Sequence, residues 1–279
     1  MRVVLGIDAA WTAAQPSGVA LAVESPSGWE LRAAASSYAS FCSTAHSGYF
    51  NDPDRPTNAQ EALTVASVLA GRSVDLVAVD MPLSLLPIIS RRASDDAVST
   101  AYGNRWASTH TPSATRPGKI SDDLRIGFAQ RGYLLQTSGN VSGGLIEVYP
   151  HPALIEFSAA ERRLPYKFGN RRKYWPDQSS YDRVLNIWLQ MRAIVGILEN
   201  EVAGVDDMLP LLNWASASAK EWKAYEDTLD AVVCAAVGIC VLEGRAIPFG
   251  DKNSSIWVPK PGCARAPRRH IMGVRTGAI

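Results

Sequence analysis

The sequence has little that would mark it as a membrane, secreted or zinc-binding protein. Its four cysteines contain no C-x-x-C pair, and its four histidines contain no H-x-x-x-H pair, so neither a disulfide framework nor a zinc site is predicted. No apolar stretch approaches the roughly 18 residues of a membrane span, and the N-terminus lacks the basic and apolar regions of a signal peptide. These absences predict a cytoplasmic protein with free thiols and no membrane contact.

Motifs for phosphate cradling and for serine hydrolysis are also missing. The chain has neither G-x-x-x-x-G-K-[ST] nor a G-x-G-x-x-G after a predicted strand, and it has no G-x-S-x-G. Actin-like and sugar-kinase ATPases follow their first Asp with glycine and hydroxyl residues, whereas Ala9, Ala10 and Trp11 follow Asp8 here. An ATPase or kinase is therefore kept only as an alternative.

Charge is balanced over the chain but unevenly distributed. The 28 Lys and Arg residues and 27 Asp and Glu residues give a net charge of +1, which neither indicates nor excludes a polyanionic partner. No acidic residue follows Asp251, so residues 252–279 are predicted to form a basic tail. The basic residues of this tail are Lys252, Lys260, Arg265, Arg268, Arg269 and Arg275.

The pattern of apolar residues predicts an α/β fold in one domain of 279 residues. Short β-branched runs indicate strands, and apolar residues three or four positions apart indicate helices. The predicted strands are residues 3–7, 18–23, 29–35, 74–79 and 145–149, and the main predicted helices are residues 60–69, 181–199 and 227–242. The segments at about 82–143 and 153–224 are predicted to be insertions into this core.

Acidic residues stand at the boundaries of the apolar runs. Asp8 and Asp80 each end a run, and Glu147 lies inside another. Asp227 and Asp230 open the last helix, three positions apart and so on one face. Desolvating a carboxylate costs several kcal/mol unless it is paired or binds a metal, and Mg²⁺ or Mn²⁺ prefers carboxylate oxygens. We therefore expect Asp8, Asp80 and Asp230 to converge on such an ion.

Each of these residues also has an ordinary structural interpretation. Asp8 could end its strand by bonding to its own turn, Glu147 could be a solvent-facing charge on an edge strand, and Asp227 could cap its helix. His151, close to Glu147 in sequence, could act as a proton shuttle or simply be a surface or capping histidine. The motifs taken singly leave these alternatives open.

Basic and aromatic residues interleave between residues 166 and 175. Lys and Arg can neutralise phosphates while aromatic rings stack on unpaired bases, which predicts a nucleic-acid contact; the alternative is a solvated loop whose aromatics pack inward. The basic residues concerned are Lys167, Arg171, Arg172 and Lys173.

Three further arginines admit the same two interpretations. Arg91, Arg92 and Arg105 lie in the polar segment after the fourth predicted strand, where they could contact nucleic acid. Arg92 could instead form an ion pair with Asp95 or Asp96.

Four short motifs built around these acids, at residues 6–8, 79–83, 147–150 and 227–231, together resemble one known family. The sequence is similar to the DUF429 family, an uncharacterised group regarded as predicted nucleases with a ribonuclease H-like fold. The Asp-x-x-Asp-Ala helix start also resembles the last motif of Holliday-junction resolvases of the RuvC type. The motifs are Gly6-Ile7-Asp8, Val79-Asp80-Met81-Pro82-Leu83, Glu147-Val148-Tyr149-Pro150 and Asp227-x-x-Asp230-Ala231.

This resemblance implies a ribonuclease H-like mixed sheet flanked by helices, with helical insertions. It implies a Mg²⁺- or Mn²⁺-dependent nuclease with metal ligands at Asp8, Asp80 and Asp230, completed by Glu147 or Asp227. Asp8, Asp80, Glu147 and Asp230 are the implied catalytic set, and DNA or RNA is the implied partner. Asp80 departs from the glutamate usual for the second ligand in RuvC-like enzymes. The alternative is a non-catalytic module on this fold that binds nucleic acid or protein.

Overall fold

A computed structural model describes residues 1–12, 14–44 and 58–266. Seven strands in these ranges form one mixed sheet: β1 (Val3–Asp8), β2 (Gly18–Ser25), β3 (Gly28–Ala35), β4 (Leu76–Asp80), β5 (Gly144–Val148), β6 (Ala246–Gly250) and β7 (Ser255–Pro259). Their order across the sheet is β3-β2-β1-β4-β5-β7-β6. Strands β1, β4, β5 and β7 run parallel, whereas β2 is antiparallel to β1 and β3, and β6 to β7.

Helices cover both faces of this sheet. They are α1 (Tyr38–Cys42), α2 (Ala59–Ala70), α3 (Ala93–Tyr102), α4 (Lys119–Ala129), α5 (Pro150–Ser158), α6 (Arg171–Tyr174), α7 (Ser180–Glu201), α8 (Val205–Met208) and α9 (Ala219–Leu242). Within the part of the chain that the structure describes, no helix is both long and apolar enough to cross a membrane.

Successive residues of the parallel strands face opposite helical layers, as the two-residue period of a strand requires. Val4 and Ala78 pack with α5, α7 and α9, whereas Leu5 and Val77 pack with α1 and α2. Because both faces are covered, these strands are almost uniformly apolar. The predicted α/β fold with a mixed, helix-flanked sheet is confirmed.

The predicted basic tail is wrong in its first part. Residues 255–259 form β7, which pairs with β5 on one side and β6 on the other, and Trp257 and Val258 are buried. Charge counting missed this strand because lysines flank it at positions 252 and 260. Arg268, Arg269 and Arg275 lie outside the described residues.

Helix α9 lies directly against β1 and β2. It begins with a capping box in which Ser218 and Glu221 exchange hydrogen bonds. Two glycines allow the close approach: a Cβ on Gly6 would lie 2.2 Å from the carbonyl oxygen of Ala231, and one on Gly18 would lie 2.0 Å from that of Asp227. The helix backbone therefore rests on the sheet with no side chain between them at these two points.

We expect Gly6→Ala to destabilise the protein by about 1–3 kcal/mol, the usual effect of overpacking a tight core. The matched control is Gly196→Ala in α7, where a Cβ meets nothing within 4 Å and the higher helix propensity of alanine should be neutral or stabilising. Urea unfolding of both variants measures the difference. Equal stability of the two variants would contradict a backbone contact between α9 and β1.

Candidate functional site

The carboxyl ends of β1 and β4 bring two acidic residues side by side. Asp8 and Asp80 are register partners on these neighbouring parallel strands, whose backbones lie about 4.8 Å apart. Strand β4 ends at Asp80 because Pro82, two positions later, cannot donate to the ladder. Helix α9 supplies Asp230, whose charge acts on both Asp8 and Asp80. These three acids therefore interact through their charges at this edge of the sheet, and their convergence on one metal ion stays a prediction.

Asp8 and Asp80 are half-buried, and their carboxylates make no hydrogen bond or ion pair to any described residue. Desolvation is the main cause that raises the pKa of Asp8 well above its usual value, and the charges of Asp230 and Asp80 add to it. Desolvation, followed by the charge of Asp230, raises the pKa of Asp80 to about 8. Both carboxylates therefore lack the compensation that an anion in this environment requires.

Asp230, in contrast, is buried and paired. It accepts a hydrogen bond from the Tyr166 hydroxyl at 2.7 Å, and the Lys167 ammonium donates to its other oxygen. Lys167 also lies 3.3 Å from Glu226. Burial opposes the charge of Lys167, but Asp230, Tyr166 and Glu226 outweigh it and raise the pKa of this ammonium.

Asp227 is held in a similar way by a second lysine. Lys223 donates to Oδ1 of Asp227 one helical turn away and lies 3.6 Å from Glu226. The other oxygen, Oδ2 of Asp227, is buried without a hydrogen-bond partner. Asp227 lies within α9 rather than at its N-cap, which is Ser218, so the predicted capping alternative is wrong.

Glu147 lies in β5, between β4 and β7, so the predicted edge-strand alternative is wrong. Its two oxygens accept from the Arg92 guanidinium at 2.6 and 2.7 Å, and one also accepts from the backbone N–H of Leu83 at 2.7 Å. Desolvation raises the pKa of Glu147 to about 7 although Arg92 opposes this shift. Glu147 therefore sits in the same cavity as Asp80 but in a saturated hydrogen-bond network.

The ion-pair interpretation holds for Arg92. Its side chain is only 6% exposed and bonds to Asp95 as well as Glu147, so its charge is already paired within the protein. Asp96 pairs with Arg91 instead. Arg105 pairs with Glu156 and donates to two backbone carbonyl groups. Arg91 and Arg105 thus hold surface segments together.

The basic-aromatic segment divides into an inner and an outer part. Phe168 stacks on Trp222 at 4.9 Å, and Tyr166 is fully buried, so these aromatics pack inward. Arg171 lies over the Phe168 ring at 4.0 Å. Arg172 and Lys173 are exposed on α6. Arg171, Arg172 and Lys173 remain available to a polyanion, while Lys167 is committed to Asp230.

Two cavities meet at the acidic cluster. One of about 590 Å³ contains Asp80, Glu147, Lys167 and Arg171 in its walls, and the other, of about 500 Å³, contains Asp8, Asp80 and Asp227. Both include Trp11, Asp80, His110 and Lys223. The unpaired carboxylates are therefore reachable from a continuous groove.

Sequence reasoning missed several residues of this groove. Lys223, Arg163 and His110 have no motif spacing that relates them to Asp8 or Asp80, and only the fold brings them into one groove. His151 is buried at 6% exposure and is part of the larger cavity, so its interpretation as a surface histidine is wrong.

The described residues include no group of three or more His, Cys, Asp or Glu side chains placed to hold one metal ion. Two of the four predicted ligands already form ion pairs: Asp230 with Lys167, and Asp227 with Lys223. Oδ2 of Asp227 is buried without a hydrogen-bond partner, and the carboxylates of Asp8 and Asp80 are not paired with any described cation. They are hard carboxylate donors of the kind that Mg²⁺ prefers.

The fold and site define an α/β protein with an acidic cluster at the carboxyl ends of two parallel strands. The family model described as "Protein of unknown function (DUF429)" matches residues 6–254, and the chain belongs to this family. The family membership inferred from the four motifs is confirmed. No curated protein and no solved structure matches the chain.

The raised pKa of Asp80 gives a signed prediction. The pKa of an unfolded aspartate is near 3.9, whereas that of folded Asp80 is raised to about 8. Between these two pH values Asp80 binds a proton in the folded state but not in the unfolded state. The free energy of unfolding therefore falls as pH rises, by at most about 1.4 kcal/mol per pH unit. We expect Asp80→Asn to remove this loss and to exceed wild type in stability at pH 7.5, but not at pH 4, when metal is chelated.

Urea unfolding in EDTA at several pH values measures this effect. Asp123→Asn is the control, because Asp123 is an exposed acid on α4 that pairs only with Lys119. A stability difference between wild type and Asp80→Asn that does not change with pH would contradict the assigned environment of Asp80.

Proposed function

We propose that this protein is a nuclease that hydrolyses phosphodiester bonds of nucleic acid with the help of Mg²⁺ or Mn²⁺. The observation that carries the proposal is the pair Asp8 and Asp80, two adjacent carboxylates that are desolvated, repel each other and have no partner. A divalent cation would supply the missing compensation. The family's description assigns no activity, so the proposal rests on the chemistry of the site.

The available ligands fit Mg²⁺ better than a metal that needs a closed cage. Mg²⁺ keeps several waters and is commonly held by one or two carboxylates plus substrate phosphates. Asp8 and Asp80 would be the protein ligands in this arrangement. Asp230 and Asp227 become available only when Lys167 and Lys223 move, for example towards a substrate phosphate.

When bound, the ion would polarise the phosphate and lower the pKa of a coordinated water. The chain's own residues have separate tasks. Arg171 and Lys223, both at the larger cavity, would bind phosphate oxygens, because guanidinium and ammonium groups are the usual phosphate partners. Arg92 holds Glu147 in place, and Lys167 holds Asp230.

The ribonuclease H-like assignment and a cytoplasmic location belong to the same proposal. The motifs and the mixed sheet with an antiparallel β2 support the former. The second candidate function is a non-catalytic nucleic-acid-binding or protein-binding module, which is favoured by one observation: lysines already neutralise Asp227 and Asp230 without a metal. Ala9 and Ala10 in the smaller cavity, in place of glycine and hydroxyl residues, disfavour an ATPase.

Cleavage assays separate these functions. We expect the purified chain to cut at least one member of a panel of labelled single-stranded, duplex and junction DNA and RNA when Mg²⁺ or Mn²⁺ is present, but none in EDTA. Asp8→Asn and Asp80→Asn should each lower the rate at least about 100-fold, and Asp123→Asn should not. Binding without cleavage across the whole panel would support the non-catalytic module instead.

The exposed basic residues of α6 yield a separate prediction. Replacing Arg171, Arg172 and Lys173 with Ala should weaken binding to nucleic acid of any sequence and flatten the slope of log affinity against log salt by about 0.7–0.9 per lost phosphate contact. The control is Arg32→Ala on β3, an edge strand. An unchanged slope would assign the three residues of α6 to a solvated surface.

A further inference from the structure

Arg163 is a cation without a counterion in the wall of the larger cavity. It lies in the loop after α5, and its backbone N–H donates to the carbonyl of Arg105 at 2.9 Å. No acidic side chain among the described residues forms an ion pair with it, and its Nε is buried without a hydrogen-bond partner. A guanidinium in such a position lacks the partner that a buried donor normally has.

His151 lies in the wall of the same cavity and has a second unsatisfied group. It is the second residue of α5, it is 6% exposed, and its Nδ1 is buried without a partner. Its ring is fixed edge-on to Tyr149 at 5.4 Å and against Tyr166 at 5.6 Å. Burial and the charges of Arg163, Lys167 and His110 hold the pKa of His151 well below its usual value. The imidazole is therefore neutral and can donate one N–H.

The first turn of α5 adds to this positive environment. Its N-cap, Tyr149, makes no side-chain capping bond, and Pro150 occupies the first turn. The dipole of a helix N-terminus favours anions. In the first turn of α5, Pro150 and Pro152 have no N–H and the N–H of Ala153 donates to the carbonyl of Tyr149, which leaves the N–H of His151. The helix end alone would not define a site, but Arg163 and His151 both lie in the wall of this cavity.

The acidic residues of the cavity do not oppose an anion there, because each is paired or lies at the proposed metal site. Asp95 and Glu147 share Arg92, and Glu226 lies between Lys167 and Lys223. Two cations of this cavity, Arg163 and Arg171, remain without an acidic partner among the described residues. Their charge matches a phosphomonoester, which carries about −1.5 to −2 at pH 7, better than a diester.

The inner wall of the cavity is closed by the sheet. Val148 and Ile256 contribute to it and are each only 1% exposed. The cavity also contains Asp80, which links the anion-binding end to the acidic cluster.

We propose that Arg163, His151 and the first turn of α5 bind the terminal phosphomonoester of a nucleic-acid strand, so that the adjoining phosphodiester bond lies at Asp8 and Asp80. This inference rests on the proposed nuclease function and names its substrate class: strands with a phosphorylated end, cut from that end. Arg163 and His151 are then groups that position and select the substrate.

A binding experiment without metal tests the anion site independently of catalysis. The full chain in EDTA is titrated with inorganic phosphate while the imidazole signals of His151 are followed by NMR. We expect a saturable shift whose dissociation constant rises at least about tenfold in Arg163→Gln and less in Arg163→Lys, which keeps the charge. Arg162→Gln is the matched control, because Arg162 is an exposed neighbour that stacks on Trp106 outside the cavity.

The same variants are then given oligonucleotides with a 5′-phosphate, a 3′-phosphate or hydroxyl ends, and a nucleoside monophosphate. We expect wild type and Arg162→Gln to prefer one phosphorylated end at least about tenfold, in binding and in metal-dependent kcat/KM, and Arg163→Gln to lose that preference. The proposal is overturned if phosphate does not shift His151, or shifts it equally in Arg163→Gln. Equal affinity for the nucleoside monophosphate and the phosphorylated strand would overturn a strand end as the ligand.

The two proposals fail in different ways. Phosphate binding at His151 without cleavage of any strand would leave the anion site standing and reject the nuclease. Metal-dependent cleavage with no preference among the three kinds of end would keep the nuclease and reject the terminal phosphate site.

Discussion

The backbone of α9 packs directly on the glycines of β1 and β2. This contact fixes the position of Asp227 and Asp230, the two acids of the cluster that α9 carries. Gly18 is the register partner of Asp8, and the carbonyl of Asp227 rests on it. The helix cannot rise from the sheet without separating Asp227 and Asp230 from Asp8. Rigid elements hold functional groups more accurately than loops do, and here all four aspartates belong to strand ends or to one long helix.

This arrangement concentrates like charge in a desolvated place, and the chain offsets it unequally. Lys167 and Lys223 neutralise the two aspartates of α9, and Arg92 neutralises Glu147. The two strand-end aspartates receive no such partner. Pairs of titratable groups with divergent environments are frequent at functional sites, although structural ion pairs also shift pKa values. The acids paired with a cation, Asp227, Asp230 and Glu147, therefore fit a structural role. The unpaired Asp8 and Asp80 are the candidates for a reactive role.

Local sequence patterns predicted the strands and helices whose own residues show a clear apolar pattern. Strands β1, β2, β3, β4 and β5 and helix α9 were expected because apolar periodicity and β-branching are local properties. The adjacency of Asp8 and Asp80 was also expected, since carboxyl ends of parallel strands share one edge of a sheet. Strand β7 was missed because its five residues were read as part of a charged tail.

The side-chain pairs could not be predicted in the same way. Arg92 and Glu147 are 55 positions apart and Lys167 and Asp230 are 63 apart, and no spacing rule relates residues on different elements at such separations. Arg92 and Lys167 were predicted to bind nucleic acid because the sequence reveals that a residue is basic. It does not reveal which acidic residue pairs with it in the fold. Only the fold distinguishes a cation that is already paired from one that is free.

That distinction changes how the basic residues of the groove are ranked. Counting charge alone makes Arg92 and Lys167 the equals of Arg163, yet the first two would have to leave buried carboxylates before they could bind phosphate. Removing one partner of a buried pair costs several kcal/mol because the other charge is left uncompensated. Arg163 incurs no such cost, since its Nε already lacks a partner. An anion entering the groove therefore gains most at Arg163, the one of these three cations that the sequence patterns did not single out.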